Sequence, residues 1–293
     1  MSQSGPRVAV HLGVLNEASL IAASLAHLRA IGVDEILVHD LGSRDGTLDI
    51  LARDGGADLR VLHTERADTE TQMWTRIEAA VAQSRADWML MIDADEFVLP
   101  AGGDIRAALA PVAGAMVMLP RYNVALGPGG LQMPLPPGTR GYDAVQLHAR
   151  PDPKFRRRLA QDPTLAWLAM VPLPKVAVRP ARVGGFAAGM HDAFDKAGTK
   201  LAAQRAENIV IAHVALSDYP RFADKVENIR ETFALHEGDL PGNFGWHWRR
   251  WVALADAGDL RGEYDRSILT AEAMAALRAE GALRSAAELI LKG

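Results

Sequence analysis

The sequence contains no cysteine among its 293 residues. Disulfide bonds, thiolate metal sites and cysteine nucleophiles are therefore excluded, and a reducing cytoplasm is the expected location. A strong excess of one charge is also missing, because 32 Lys and Arg residues stand against 36 Asp and Glu residues. Although residues 154–158 form a local basic cluster, the formal net charge of −4 gives no general basic field, so we expect no nucleic-acid partner.

Long hydrophobic runs are missing as well. The longest uncharged apolar stretch, 107–119, is interrupted by Pro111 and falls short of the ~20 residues that a membrane-spanning helix needs. The first apolar run, "RVAVHLGVL", is followed by no signal-peptide cleavage pattern and indicates a strand instead. We expect a globular protein without a transmembrane segment, for which peripheral membrane contact stays open.

Residues 7–100 repeat one pattern, in which a short apolar run leads through a polar turn into a segment with helical spacing. The apolar runs are "RVAVHLGVL", "EILVHD", "LRVLH" and "WMLMID", and helices are predicted near 17–31, 46–54 and 69–85. This alternation predicts right-handed crossovers and a mainly parallel sheet. Such sheets bind ligands at the carboxyl ends of their strands, where Asn16, Asp40 and Asp93 occur.

The pattern changes after residue 100. The run "AMVMLPRYNVAL" predicts a further strand, and the Gly- and Pro-rich segment 124–150 predicts an irregular loop over a site. The runs "PKVAVRP", "GGFAAGM" and "NIVIAHVAL" predict short strands, at least one of them antiparallel. From residue 218 onward the spacing is helical.

The segment "DWMLMIDADEF" ends a buried strand in Asp93, Asp95 and Glu96. In extended backbone, Asp93 and Asp95 point to the same side. Mg2+ and Mn2+ prefer hard oxygen ligands and are usually held by one or two carboxylates plus substrate phosphates. The alternative is a solvated acidic turn that simply ends a strand.

Two further strand ends are polar, in "VLNEAS" and "LGSRDGT". Asn16 could cap the first helix, and Ser43 or Asp45 could cap the second. The other interpretation is a nucleotide pocket. Three polar strand ends on one sheet edge favour a binding site over three unrelated turns.

These segments resemble a family 2 type glycosyltransferase with the GT-A fold. The closest branch reads roughly Lys-Asn-Glu, Asp-x-x-Ser-x-Asp-Gly-Thr and Asp-x-Asp-Glu-Phe, and is related to the family 92 type. The match is strong over about a third of the chain, and a weaker similarity continues through "PKVAVRP", "GMHDAF" and "AHVALSDYPRFADKVEN". The resemblance implies an α/β fold with a Rossmann-like, mainly parallel sheet, helices on both faces and a helical C-terminal region.

The same resemblance implies an inverting transferase that needs Mn2+ or Mg2+. It would move a sugar from a nucleotide-diphosphate sugar, with a UDP-sugar expected, to a hydroxyl of a carbohydrate or glycolipid acceptor. Residues 1–215 would form the catalytic domain, with a nucleotide-binding half at 1–100 and an acceptor- and metal-completing half at 101–215. Residues 216–293 would form a helical region packed on that domain.

The resemblance also assigns roles to single residues. The residues that would line the nucleotide pocket are Asn16, Glu17, Asp40, Ser43 and Asp45, with Asp40 near the base or ribose. Asp93 and Asp95 would hold the ion on the donor diphosphate. A histidine from a later strand often completes such sites, and His191 in "GMHDAF" matches this position best, with His213 in "IAHVAL" second.

Basic side chains and the general base are less defined. Lys175 and Arg179 alternate along one predicted strand, so they could compensate the diphosphate or be snorkelling surface residues. Lys225 has the character of a solvated helix residue, although the family pattern places a Lys there. The base that an inverting transfer needs has three candidates. They are Glu96, Asp143 and Asp192, and Asp192 is favoured because it adjoins His191.

Two other functions compete with this assignment. A haloacid-dehalogenase-like phosphohydrolase would use Asp93 as its nucleophile, but its motif should lie near the N-terminus, and here three strand-helix units precede it. A non-catalytic nucleotide-sugar-binding protein is the second alternative. The first motif supports it slightly, because Leu15 stands where the family has Lys, whereas the intact Asp45, Asp93 and Asp95 favour an enzyme.

Overall fold

A computed structural model of the chain describes residues 5–130, 141–236 and 245–290. The strands are β1 (Val8–Val14), β2 (Glu35–Asp40), β3 (Leu59–His63), β4 (Trp88–Asp93), β5 (Glu96–Pro100), β6 (Met116–Leu119), β7 (Arg121–Asn123), β8 (Gln146–His148), β9 (Lys175–Val178), β10 (Gly185–Phe186), β11 (Ala193–Phe194), β12 (Ala203–Arg205), β13 (Ile209–His213) and β14 (Leu283–Ser285). The helices are α1 (Ile21–Ala30), α2 (Thr47–Asp54), α3 (Glu70–Gln83), α4 (Ile105–Leu109), α5 (Phe155–Gln161), α6 (Tyr219–Leu235), α7 (Trp246–Asp256), α8 (Leu260–Ser267), α9 (Ala271–Ala279) and α10 (Ala286–Ile290).

The central sheet has seven strands in the order β3-β2-β1-β4-β9-β6-β12. Neighbouring strands are parallel except at β9, which runs antiparallel to both β4 and β6. The predicted mainly parallel sheet is therefore confirmed. Because β9 runs backwards, its first residue, Lys175, lies at the carboxyl edge of the sheet, where it pairs with Leu119 at the end of β6.

Apolar side chains cover both faces of this sheet, as a parallel sheet between helices requires. On one face, Val10 and Leu12 of β1 share a buried cluster with Leu25 of α1. On the other, Met89 and Met91 of β4 pack with residues of α3. The predicted helices on both faces are confirmed. Helix α1 begins at Ile21, later than predicted, after a turn at 18–20. Asn16, whose backbone is left-handed (φ 55°), does not cap it.

A second sheet of three strands, β5-β13-β7, lies beside the acidic strand end. Strand β4 ends at Asp93, and β5 begins at Glu96 after a turn at Ala94 and Asp95. The expectation of extended backbone from Asp93 to Asp95 is therefore wrong. Because the chain turns between them, the two carboxylates bind different neighbours.

The segment predicted to be an irregular loop, 124–150, lies partly outside the described residues, at 131–140. Of the remainder, Gln146–His148 forms β8 and pairs with β14, so the loop prediction is wrong there. An antiparallel partner more than a hundred residues away supplies the backbone hydrogen bonds that local sequence does not reveal.

The helical C-terminal region completes hydrophobic clusters that begin earlier in the chain. Phe222 and Trp251 pack with Phe155 and Trp167, and Ile290 of α10 joins the cluster beside the three-stranded sheet. The boundary at residue 215 stays a prediction. Within residues 5–130, 141–236 and 245–290, no helix has the length and apolar character needed to cross a membrane.

Two histidines lie in the centre of the sheet. His11 of β1 and His39 of β2 are both 1% exposed, with His11 Nε2 3.3 Å from His39 Nδ1, and His39 Nε2 2.5 Å from the hydroxyl of Thr64. Burial lowers the pKa of His11 to about 3 and that of His39 to about 4. Both rings are therefore neutral in the folded protein at pH 7.

These histidines predict acid sensitivity. The unfolded chain takes up protons on both residues below pH ~6.5, whereas the folded chain resists until about pH 4, so the free energy of unfolding should fall between these values. Each histidine adds a slope of up to ~1.4 kcal/mol per pH unit. Urea unfolding of His39→Gln between pH 7.5 and 4.5 should show a flatter dependence than wild type, whereas His236→Gln, at the end of α6, should not. Identical slopes for His39→Gln and wild type would contradict the buried neutral state.

Candidate active site

Polar side chains converge where the carboxyl ends of the strands meet helix α6. Asp40 ends β2, Asp93 ends β4, and His213 ends β13, while the reversed β9 brings Lys175 to the same edge. Two connected groups of charges result, one around Asp95 and one around Asp93.

Asp95 is buried among cations. Its Oδ2 accepts hydrogen bonds from Lys225 Nζ (2.6 Å) and Arg221 Nη2 (3.3 Å), while Oδ1 lies 3.9 Å from His213 Nε2. Burial opposes ionisation, but the positive charges of Lys225 and Arg221 outweigh it and hold the pKa of Asp95 well below its usual range. Lys225 is thus an ion-pair partner of Asp95, which corrects its interpretation as a solvated residue.

The His213 ring is oriented by Asn123. The amide nitrogen of Asn123 donates to the carbonyls of Leu168 (3.1 Å) and Met170 (2.9 Å), so its oxygen faces His213 Nδ1 at 2.9 Å. An amide oxygen can only accept, and Nδ1 therefore carries the proton. Burial lowers the pKa of His213 well below its usual range. The neutral ring then presents the Nε2 lone pair to Asp95.

A lone pair directed at a carboxylate oxygen, with no proton between them, is repulsive unless a cation joins the two. Among the residues that the structure describes, Asp95, Glu96 and His213 form a group whose potential ligand atoms lie within 4.8 Å of one another. Carboxylate oxygen and neutral imidazole nitrogen are suitable ligands for Mn2+. The donor set therefore fits a divalent ion, with Asp95 and His213 as its core.

Glu96 is the weakest member of that group. Its side chain is fully buried, and its carboxylate accepts hydrogen bonds from Arg121 and from the Asp93 backbone N–H (3.0 Å), with Lys175 Nζ 3.7 Å away. Burial raises the pKa of Glu96, although Lys175 and Arg121 oppose this. With both oxygens engaged and no exposed surface, Glu96 does not reach the open edge, as a general base must.

Lys175 binds Asp93 from the buried side of the site. Lys175 Nζ donates to Asp93 Oδ2 (2.7 Å) and to the Gly189 carbonyl (3.2 Å), and the Lys175 side chain is 2% exposed. The Asp93 side chain, in contrast, is 45% exposed. Gly13 makes room for it, since a Cβ there would lie 3.1 Å from Asp93 Oδ1. Asp93 is thus a rigidly positioned carboxylate that faces outward.

His191 lies on the Asp93 side of the site. Its Nδ1 donates to the Pro174 carbonyl (2.7 Å), which leaves Nε2 as an acceptor, and burial lowers its pKa to about 4. Lys175 and Asp93 both influence its charge. The structure therefore gives His191 the ionisation state of a ligand, but His213 is the histidine beside Asp95.

The turns after β1 and β2 bring four of the predicted nucleotide-pocket residues together. The backbone N–H of Asn16 donates to the Ser43 hydroxyl (2.9 Å), and Asp45 accepts hydrogen bonds from the N–H groups of Ala18 (2.9 Å) and Thr47 (3.0 Å). Glu17 pairs with Arg221 through both oxygens (2.7 and 2.8 Å) and so faces α6.

Asp40 is fully buried at the end of β2. Its carboxylate accepts hydrogen bonds from the N–H groups of Gly42 and Ser43 and lies 2.7 Å from His63 Nδ1. These contacts hold the turn in which Ser43 and Asp45 lie. Its predicted place near a base or ribose stays a prediction.

The structure places three predicted residues away from these groups. Arg179 lies at the opposite edge of the sheet, with its guanidinium 4.3 Å from the Trp88 ring and bonded to the Gly114 carbonyl, so it does not accompany Lys175. Asp192 pairs with Lys200 (2.9 Å) and is 31% exposed. Asp143 is exposed in the turn before β8.

Three functional candidates were missed in the sequence: Arg121, Asn123 and Arg221. Arg221 had a detectable signal, because Arg221 and Lys225 are one helical turn apart beside the apolar residues Phe222 and Val226. Cations at that spacing on the buried side of a helix require a carboxylate partner. The other two gave no such signal.

Comparisons with known proteins find a family match and one curated relative. Residues 10–130 match the model of glycosyl transferase family 2. A TPR repeat-containing protein of Synechococcus elongatus is 30% identical over 245 residues, which are 82% of this chain and 55% of that protein. The chain thus spans about half the length of this curated relative.

Solved structures are similar at lower identity. A mannosyltransferase from Pyrobaculum calidifontis, in complex with GDP-Man and Mn2+, is 19% identical with a TM-score of 0.43, over 96% of this chain and 81% of that one. Glucosyl-3-phosphoglycerate synthase from Mycobacterium tuberculosis, with Mn2+, UDP and phosphoglyceric acid, is 19% identical with a TM-score of 0.38, over 79% and 77%.

The relation to the family 92 type stays a prediction. The sequence motifs, the sheet with its reversed strand β9 and the family match agree on the broader assignment. The resemblance is confirmed over residues 10–130, which match the model of glycosyl transferase family 2, and the mainly parallel α/β sheet is the fold class that it implied.

Proposed function

We propose that this protein transfers a sugar from a nucleotide-diphosphate sugar to an acceptor hydroxyl, and that Asp95 and His213 hold Mn2+ or Mg2+ for this reaction. The observation that carries the proposal is that His213 Nε2, which bears no proton, lies 3.9 Å from Asp95 Oδ1. Asp95 belongs to the acidic motif of the family 2 region. When bound, the ion supplies positive charge beside the departing diphosphate.

The chain's own residues prepare this site. Arg221 and Lys225 hold Oδ2 of Asp95 and leave Oδ1 directed toward His213, while Asn123 fixes the histidine tautomer. His213 ends strand β13, and Asp95 lies in a two-residue turn held between strands β4 and β5, so both residues are supported by regular structure. We assign the half-exposed Asp93 to the part of the site that faces the donor. Lys175 compensates its charge from the buried side.

The finer parts of the proposal follow the family pattern. Asn16, Glu17, Asp40, Ser43 and Asp45 support the nucleotide pocket, a UDP-sugar is the expected donor, and a carbohydrate or glycolipid is the expected acceptor. Transfer with inversion needs a base on the face opposite the leaving group. Asp192, which adjoins His191 in the chain and is partly exposed, stays our candidate, although it pairs with Lys200 apart from the groups around Asp93 and Asp95.

Asp95→Asn tests the metal site. The variant keeps the side-chain shape but loses the charge that binds the ion, so calorimetry should show Mn2+-dependent UDP binding weakened at least about tenfold. Asp143→Asn, in the exposed turn before β8, should bind as wild type does. Thermal unfolding must show that Asp95→Asn is folded. Unchanged Mn2+-dependent binding in the folded variant would exclude Asp95 as a ligand.

A pair of histidine variants tests which histidine binds the ion. His213→Ala should lower the affinity for Mn2+ in the presence of UDP by at least about tenfold, because a ligand nitrogen is lost. His191→Ala should change it little, because His191 lies beside Lys175 and Asp93 instead. The reverse result would return the role to His191, the residue that the sequence favoured.

The reaction itself is tested by screening nucleotide sugars for donor hydrolysis with Mn2+, in the wild type and Asp95→Asn. Hydrolysis or transfer that requires Asp95 would support the proposal. Phosphatase turnover abolished by Asp93→Asn would instead support a phosphohydrolase. Tight nucleotide-sugar binding without turnover for any donor and acceptor would support a binding protein.

A further inference from the structure

Opposite charges at the site form two adjacent networks of salt bridges. One joins Asp95 and Glu17 to Arg221 and Lys225. The other joins Asp93 and Glu96 to Lys175 and Arg121. Each network holds two carboxylates and two cations, so the carboxylates of the site are already paired with cations of the chain before any ion or substrate arrives.

This balance works against a divalent ion that arrives alone. Two further positive charges would lie beside four cations whose side chains are mostly buried, where screening by water is weak. A nucleotide diphosphate brings negative charge to the same place. The ion and the diphosphate should therefore each favour the binding of the other.

Lys225 is the cation best placed to respond. Lys175 is 2% exposed beneath Asp93, and Arg221 is 5% exposed and bonded to Glu17 through two nitrogens. Lys225 is 25% exposed, and within the described residues Asp95 is its one hydrogen-bonded partner, at 2.6 Å. Its four-carbon chain can leave Asp95 without breaking another contact of that kind.

We propose that Lys225 is the resident counter-cation of Asp95 and makes divalent-ion binding conditional on an arriving diphosphate. The inference rests on the proposed metal and donor site. Before the donor binds, the Lys225 ammonium occupies Oδ2 of Asp95 and weakens its attraction for the ion. When the diphosphate arrives, its oxygens offer the ammonium a second anionic partner, and Asp95 becomes a stronger ligand.

The experiment is an Mn2+ titration of the full chain, followed by the electron paramagnetic resonance signal of free Mn2+, with and without saturating UDP. In the wild type, UDP should raise the affinity for Mn2+ by about tenfold or more. Lys225→Met should bind Mn2+ alone about tenfold more tightly than wild type, and UDP should add less. Lys225→Arg keeps the charge and should behave as wild type.

Arg230→Met is the matched control, because it removes a cation from the same helix. Arg230 pairs with Glu227 and Asp256, which lie outside both networks. If Lys225→Met binds Mn2+ no more tightly than Arg230→Met while wild type still binds UDP with Mn2+, the role of Lys225 is overturned and the proposed function stands. If no variant binds Mn2+ with or without UDP, both are overturned. Thermal unfolding checks each variant, and Lys225→Gln replaces Lys225→Met if the latter does not fold.

Discussion

Asp95 and Glu96 carry negative charge into a region where their side chains are at most 5% exposed. An ionised carboxylate is costly there unless cations and hydrogen bonds compensate it. The compensating groups come from separate parts of the chain: Arg121 from β7, Lys175 from β9, and Arg221 with Lys225 from α6. The packing of α6 over the turn at Asp95 and the reversed direction of β9, which brings Lys175 to the carboxyl edge, both meet this requirement.

The same arrangement explains why the site is rigid. Asn123 and His213 lie on neighbouring parallel strands of the small sheet, and the register pairs them directly. Two backbone carbonyls fix the orientation of the Asn123 amide, and its oxygen fixes the tautomer of His213. The unprotonated Nε2 of that ring is the nitrogen beside Asp95. The contacts up to His213 are hydrogen bonds, so the orientation and tautomer of its ring are fixed by the folded chain itself.

A balanced network also has a functional consequence. A site with a large negative excess would bind divalent ions in the absence of substrate, whereas this one carries its own cations. Under the proposed function, its affinity for an ion would depend on what else is bound, because the favourable Coulomb energy would come from the diphosphate and not from the protein alone. The partly exposed Lys225 gives this dependence a specific side chain.

Local patterns by themselves determined the first four strands, the three helices between them, the mainly parallel sheet and the acidic strand end. Apolar spacing of two or of three to four residues is a short-range property that one segment suffices to show. The family resemblance of the polar strand ends was likewise present in the sequence.

Tertiary structure alone decided which side chains meet at these strand ends. Glu17 and Arg221 are 204 residues apart and Asp95 and Lys225 are 130 apart, so no local pattern pairs them. The two-residue turn after Asp93 separated the carboxylates, and the direction of β9 brought Lys175 to the site and placed Arg179 at the opposite edge. Charge compensation in a buried site acts through space, and only the folded chain shows which cation lies beside which carboxylate.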